Sequence, residues 1–277
     1  MTAKIILHAH AFYPGLWPEL QACIENCRAE VGGDSLFVVA TYSEAKPELC
    51  EALERSLRSM RHEIIAVSNR GYDVGPFVEY VLNRPDFASF DYVVKLHTKR
   101  DVDSFFLYRR HNGSDWRRLL LSFCSTRDAF RRALSAFARA PRQGMVANAQ
   151  VIGRGGVDYS KKSIDVVRSY VASLGLTPRE TTVVLGTMFM ARTKCLLPLA
   201  NRWHLSDFEE VSSGSHLDGS LAHCLERHFA AVVSAQGYLV SDGRLPYAFA
   251  CCAARLTFTI GRSLRIFFSF LRSFAKI

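Results

Sequence analysis

Short apolar runs of strand length alternate along this chain with longer stretches in which apolar residues recur every three to four positions. KIILHAH (4–10), LFVVATY (36–42), HEIIAVS (62–68), the run at 91–97, GMVANAQ (144–150) and TVVLGTMFMA (182–191) predict strands. Residues 17–30 have helical spacing, with Trp17, Leu20, Ile24 and Cys27 on one side, and 46–60, two basic stretches within 114–138, 161–173 and 216–237 also predict helices. Alternation of this kind predicts an α/β fold, a mostly parallel, Rossmann-like sheet with helices on both faces. With no repeat or low-complexity linker before about residue 244, a single domain over 1–245 is expected, followed by a distinct segment at 246–277.

That last segment has no acidic residue, while Arg255, Arg262, Arg265, Arg272 and Lys276 supply five of the nine net positive charges. Its basic residues share one helical face and Leu256, Ile260, Leu264, Phe267, Phe268, Leu271 and Phe274 the other, which suits a basic amphipathic helix on an anionic membrane surface. Packing against the domain or a second copy is the alternative. Arginines interrupt every window long enough to span a bilayer.

The chain has 277 residues, 49% of them apolar, enough for a substantial core. A formal charge of +9 favours an anionic partner such as a nucleotide diphosphate, a lipid headgroup surface or nucleic acid. No recognised nucleic-acid motif is present, so no nucleic-acid partner is expected. Eight cysteines show no CxxC pair and no zinc spacing, and no signal-peptide pattern opens the chain. A cytoplasmic protein with reduced, mostly buried cysteines is expected, at the cytoplasmic face of the inner membrane if the tail docks there.

Four clusters carry candidate chemistry. FDYVVKLHTKR (90–100) is an apolar strand ending in Lys95, His97, Thr98, Lys99 and Arg100. Ligands of open α/β sheets bind beyond the carboxyl ends of the strands, and so dense a set of cations calls for an anion or for acidic neighbours such as Asp101 and Asp103. Asn69-Arg70-Gly71-Tyr72-Asp73 precedes a helix with Pro76 in its first turn. It reads either as an anion-binding turn or as an ordinary connection capped by Asp73. Gly186 in GTMFMAR either leaves room for a sugar ring or marks a bulge. His216, Asp218 and His223, followed by Glu226 and Arg227, lie around a helix start. Their spacing does not suit a zinc helix; Asp218 either caps the helix or acts as a general base.

Taken in order, NRGYDVGPF, YVVKLHTKR, GTMFMAR and HLDGSLAHCLER resemble the rhamnan synthesis protein F family over roughly residues 4–243. That resemblance implies a bacterial glycosyltransferase with a GT-A-like plan, in which a nucleotide-binding half precedes an acceptor half. Where many such enzymes carry a metal-binding Asp-x-Asp, this chain has His97-Thr98-Lys99. The implied activity is inverting transfer of rhamnose or another deoxyhexose from a nucleotide-diphosphate donor, dTDP-rhamnose for example, to a glycan or lipid-linked glycan.

In that reading no divalent metal is required, Mg²⁺ or Mn²⁺ being the alternative. Lys95, a protonated His97, Lys99 and Arg100 offset the leaving diphosphate, and Asn69, Gly71, Asp73 and Gly186 help bind the donor. Asp218 deprotonates the acceptor, supported by His216, His223 and Arg227. The rival expectation is a non-catalytic carbohydrate-assembly partner at the membrane.

Overall fold

The structure, a computed structural model, describes residues 3–101, 103–106, 109–154, 161–177, 182–211 and 220–244. The expected tail helix at 246–277 lies outside them, as do Asp218 and His216. In chain order the first half comprises β1 (Ile5–Ala11), α1 (Trp17–Val31), β2 (Leu36–Ser43), α2 (Glu48–Leu57), β3 (Arg61–Val67), α3 (Val74–Phe77) and β4 (Tyr92–His97). A hairpin, β5 (Ser104–Phe106) and β6 (Arg109–His111), leads to α4 (Asp115–Leu121) and α5 (Arg127–Arg139). Then follow β7 (Gln143–Val146), β8 (Ile152–Arg154), α6 (Lys161–Ser173), β9 (Thr182–Val184), β10 (Phe189–Arg192), α7 (Thr193–Leu196), α8 (Leu221–Ala235) and β11 (Leu239–Ser241).

Local sequence accounts for the main boundaries. In α1, Pro18 and Glu19 occupy the first turn, Trp17, Leu20, Cys23, Ile24, Cys27 and Val31 form its buried stripe, and Gly32 ends it at φ 84°. Thr126 caps α5 by accepting from the Ala129 amide at 3.1 Å. Some elements depart from expectation. The single strand foreseen over 182–191 is two, because Gly186 (φ 73°) and Thr187 (φ 50°) take left-handed conformations that break the extended run. The hairpin of β5 and β6 fills a stretch for which no element was foreseen.

Seven strands form the main sheet in the order β11-β7-β10-β4-β1-β2-β3. β1, β2, β3 and β4 are mutually parallel along the sheet, β11 is parallel to β7, and β10 alone runs antiparallel to its neighbours. The mostly parallel α/β fold is therefore the one the sequence predicted. From β1 the chain steps outward through β2 to β3, then returns to lay β4 on the other side of β1. Right-handed crossovers consequently place α1 and α2 on one face and α3 on the other. The reversal of strand order between β1 and β4 is the switch point where such sheets open a crevice beyond their carboxyl ends.

Among the described residues, Cys23, Cys27, Cys124 and Cys195 are buried as small apolar residues, and burial raises the thiols of Cys27 and Cys124 well above their ordinary range. No helix among the described residues is long and apolar enough to cross a membrane.

Candidate functional site

β1 and β4 present unlike faces. Ile5, Leu7, Ala9, Val94 and Leu96 are apolar and fully buried, as a central parallel strand requires. On the opposite face, register pairs His8 with Lys95 and His10 with His97, all of them buried. Thr41 of β2, in register with His10, belongs to this face too. Phe77 of α3 covers it, its ring 5.6 Å from that of His8 and 5.5 Å from the Lys95 ammonium, and Phe229 of α8 packs on Phe77. A row of polar groups thus runs through the core up to the switch point.

At its upper end two segments, β4 and the turn at Thr187, converge on one carboxylate. Asp73, just before α3, accepts hydrogen bonds through Oδ2 from the Lys95 ammonium and, at 2.7 Å, from the Thr187 hydroxyl. Lys95 also donates to Thr187 at 3.0 Å. His97 Nδ1 lies 3.2 Å from the same Oδ2, off the line of a hydrogen bond. Lys95 has no exposed surface, whereas the Asp73 side chain keeps 16%. Burial opposes the charge on Asp73, but His97, Lys95 and Lys99 around it hold its carboxyl well below the ordinary carboxylate range. Burial lowers the Lys95 ammonium, with Asp73 opposing.

Burial also drives His97 well below its ordinary value, aided by Lys95 and Lys99, so the ring is neutral at physiological pH. This corrects two expectations. Asp73 does not cap its helix, because its carboxylate is turned inward to Lys95. The cluster at 95–100 is not a surface of cations either: Lys95 is spent on an internal ion pair and His97 is uncharged.

His8, His10, Thr41 and Thr187 were not foreseen. The Thr41 hydroxyl sits 3.0 Å from His8 Nε2 and 2.9 Å from His10 Nδ1. With a single proton, it donates to one ring and accepts from the other. Burial lowers His10 to about 4, and His8 falls well below its ordinary range for the same reason. The visible signal was His-x-His in β1 opposite Lys-x-His in β4, two alternations that acquire meaning once the strands are neighbours.

The loop after β3 is engaged with protein. Asn69 Nδ2 donates to the Val211 carbonyl at 2.6 Å, the Val211 amide returns a bond to the Asn69 carbonyl at 2.8 Å, and the Gly71 amide donates to Glu209 at 3.2 Å. Arg70 donates to the Phe208 carbonyl at 2.9 Å. Gly71 has φ 64°, and a Cβ there would overlap the Phe208 ring. The close approach that requires glycine is to Phe208, not to open space. The same holds at Gly186, where a Cβ would stand 2.7 Å from Leu120 and the amide donates to Glu226 at 2.7 Å. The room expected there for a sugar ring is filled by Leu120.

Beyond β4 the chain turns toward solvent. Thr98 is buried and its hydroxyl accepts from the amides of Phe12 and Tyr13 at 2.8 and 3.1 Å, tying the ends of β4 and β1 together. Lys99 is half-buried and Arg100 exposed. Arg117 of α4 holds this turn by donating to the Lys99 carbonyl at 3.1 Å and pairing with Asp101 and Glu19. Asp101 thereby neutralises Arg117 rather than its cationic neighbours.

Where Asp-x-Asp would stand, His97 lies beside Lys95 and Lys99 and the Thr98 hydroxyl is committed to two amides. Those residues do not fit a divalent cation. Among the described residues, no three His, Cys, Asp or Glu side chains converge as metal ligands.

On the acceptor side, α8 begins at Leu221, capped by Ser220 rather than by an acidic residue. Ser220 Oγ is 2.9 Å from His223 Nδ1, and the His223 ring lies 5.6 Å from Tyr72. Glu209 receives the Leu221 amide at 3.2 Å, adding a negative charge at the helix start. Arg227 is half-buried further along α8. Asp218 and His216 lie outside the described residues.

Residues 1–238 match the family described as rhamnan synthesis protein F. The uncharacterized protein WxcX of Xanthomonas campestris pathovar campestris, in two strains, is 28% identical over 244 residues, which is 87% of this chain. That stretch is 32% of each relative, so the chain spans about a third of their length. With a family match that runs from β1 to the end of α8, across every element of the crevice, the chain belongs to the rhamnan synthesis protein F family.

Proposed function

We propose that this chain transfers a sugar, rhamnose or a related deoxyhexose, from a nucleotide diphosphate to a growing bacterial polysaccharide. Family membership supports polysaccharide synthesis. The observation that carries the transferase reading is the end of β4, where Lys99 and Arg100 emerge at the switch point above an internally neutralised Asp73–Lys95 pair. Two cations on a fixed turn, beside a low-dielectric floor, provide electrostatic stabilisation for a departing diphosphate.

In this reading Lys99 and Arg100 hold the diphosphate oxygens, while Lys95 fixes Asp73 and Thr187 instead of touching the donor. Asp218 takes the proton of the acceptor hydroxyl. The acceptor oxygen then bonds to the anomeric carbon, and the bond from that carbon to the phosphate oxygen breaks with its electron pair leaving on the diphosphate. Direct displacement inverts the anomeric centre. The tail at 246–277 holds the domain at an anionic membrane surface carrying a lipid-linked glycan acceptor.

Thermal unfolding with dTDP-, UDP- and GDP-sugars, each with and without a chelator, tests this reading. A donor at about a hundred times its Kd stabilises by about 2.7 kcal/mol, and the chelator leaves that gain unchanged. Lys99→Ala and Arg100→Ala each reduce it. No response to any nucleotide sugar, or turnover that requires Mg²⁺ or Mn²⁺ and survives Lys99→Ala, overturns the proposal.

A further inference from the structure

His97 is the last residue of β4, 3% exposed, and among the described residues both ring nitrogens lack a hydrogen-bond partner. An unsatisfied buried ring nitrogen costs on the order of 1–3 kcal/mol, a cost that selection for stability alone would remove. The surroundings decide which nitrogen carries the proton. Nδ1 faces the Asp73 carboxylate at 3.2 Å, where a lone pair is repelled and an N–H attracted. Lys95, Lys99 and His10, the other titratable groups acting on the ring, oppose a second proton, as burial does. His97 is therefore a neutral imidazole with Nδ1 protonated and the Nε2 lone pair unused.

A lone pair cannot bind an ionised diphosphate, whose oxygens only accept. It suits a hydroxyl. We infer that His97, positioned by Asp73, is a specificity-determining residue whose Nε2 accepts a hydrogen bond from a hydroxyl of the transferred sugar. This rests on the transferase reading above and adds to it a division of labour: Lys99 and Arg100 read the diphosphate, His97 reads the sugar. Asp73 acts through the ring by fixing its tautomer and orientation.

Imidazole ¹⁵N NMR of the ligand-free chain, at about pH 6–8, gives the readout that a structural role would not move. A neutral His97 protonated on Nδ1 is expected; protonation on Nε2, or a charged ring, overturns the inference. Calorimetry with dTDP and dTDP-rhamnose gives the second arm. In His97→Phe, dTDP affinity stays within about twofold while dTDP-rhamnose affinity falls about tenfold, and His97→Gln, whose carbonyl also accepts, recovers part of the loss. An equal fall for both ligands means the ring touches the diphosphate, which overturns the sugar subsite and leaves the transferase reading standing. If the natural chain binds neither ligand, both readings fall.

Discussion

The two faces of β1 and β4 were built on opposite terms. On one side Ile5, Leu7, Ala9, Val94 and Leu96 bury apolar surface, which is how a central parallel strand contributes to stability. On the other, His8, His10, Lys95 and His97 take polar groups into the same core and recover only part of their hydration through Thr41, Asp73 and Thr187. A buried ion pair seldom outweighs an apolar pair of equal volume. The first face explains why the sheet forms. In the proposed function the second is explained by what it presents at the switch point.

The sharpest way to break this comparison is to remove one partner of the buried pair. Asp73→Ala leaves the Lys95 charge uncompensated and lowers stability by about 3–5 kcal/mol, read from urea midpoints. Leu7→Ala on the apolar face costs a similar amount, about 2–5 kcal/mol, through the cavity it opens. Substituting both Asp73 and Lys95 by apolar residues restores the first loss, whereas no second substitution is expected to rescue Leu7→Ala so simply.

Gly186→Ala attacks the turn that presents Thr187. With φ 73° and Leu120 at 2.7 Å from the new methyl, it loses about 1–3 kcal/mol of stability on thermal melting.

Acid separates the faces by charge. His10 on the polar face and His228, buried in α8, titrate at about 4 in the folded chain, below the 6.5 of an unfolded one. Between these values the unfolded chain binds more protons, so stability falls as pH drops below about 6.5. At pH 5.5 each ring accounts for a loss of about 1.4 kcal/mol. His10→Gln flattens the fall in Tm between about pH 6.5 and 5, while Leu7→Ala leaves its slope unchanged. Asp73 adds its acid loss at lower pH, beginning near 3.8, where the unfolded carboxyl takes up a proton while the folded one, held well below that value, stays ionised. The smallest effect on folding is expected of Lys99→Ala, within about 0.5 kcal/mol, since that residue emerges from the fold rather than supporting it.

The apolar face was legible in the sequence, and the polar one only in part. Short apolar runs such as KIILHAH and YVVKLH marked the strands, and the mostly parallel α/β sheet followed from their alternation with helices. The cationic end of β4 was visible because four basic side chains in six residues are hard to solvate together. That Lys95 belongs to Asp73, 22 residues earlier, depends on how the chain returns from β3 to β4, which no local pattern encodes. The same is true of Leu120 over Gly186 and of Phe208 over Gly71: in both places the glycine was conspicuous and the partner filling its space was not. The strand foreseen over 182–191 was broken at Thr187, a β-branched residue whose left-handed backbone runs against its local preference and is held by Asp73 and Lys95.

The central claim is that the polar face serves a ligand and not the fold, and the double variant Asp73→Leu/Lys95→Met tests it most directly. Its urea midpoint and its dTDP-rhamnose affinity are measured on the same preparation. The account predicts stability within about 1 kcal/mol of the natural chain, or above it, together with a loss of donor affinity of about tenfold or more. A folded double variant that binds dTDP-rhamnose as tightly as the natural chain contradicts it.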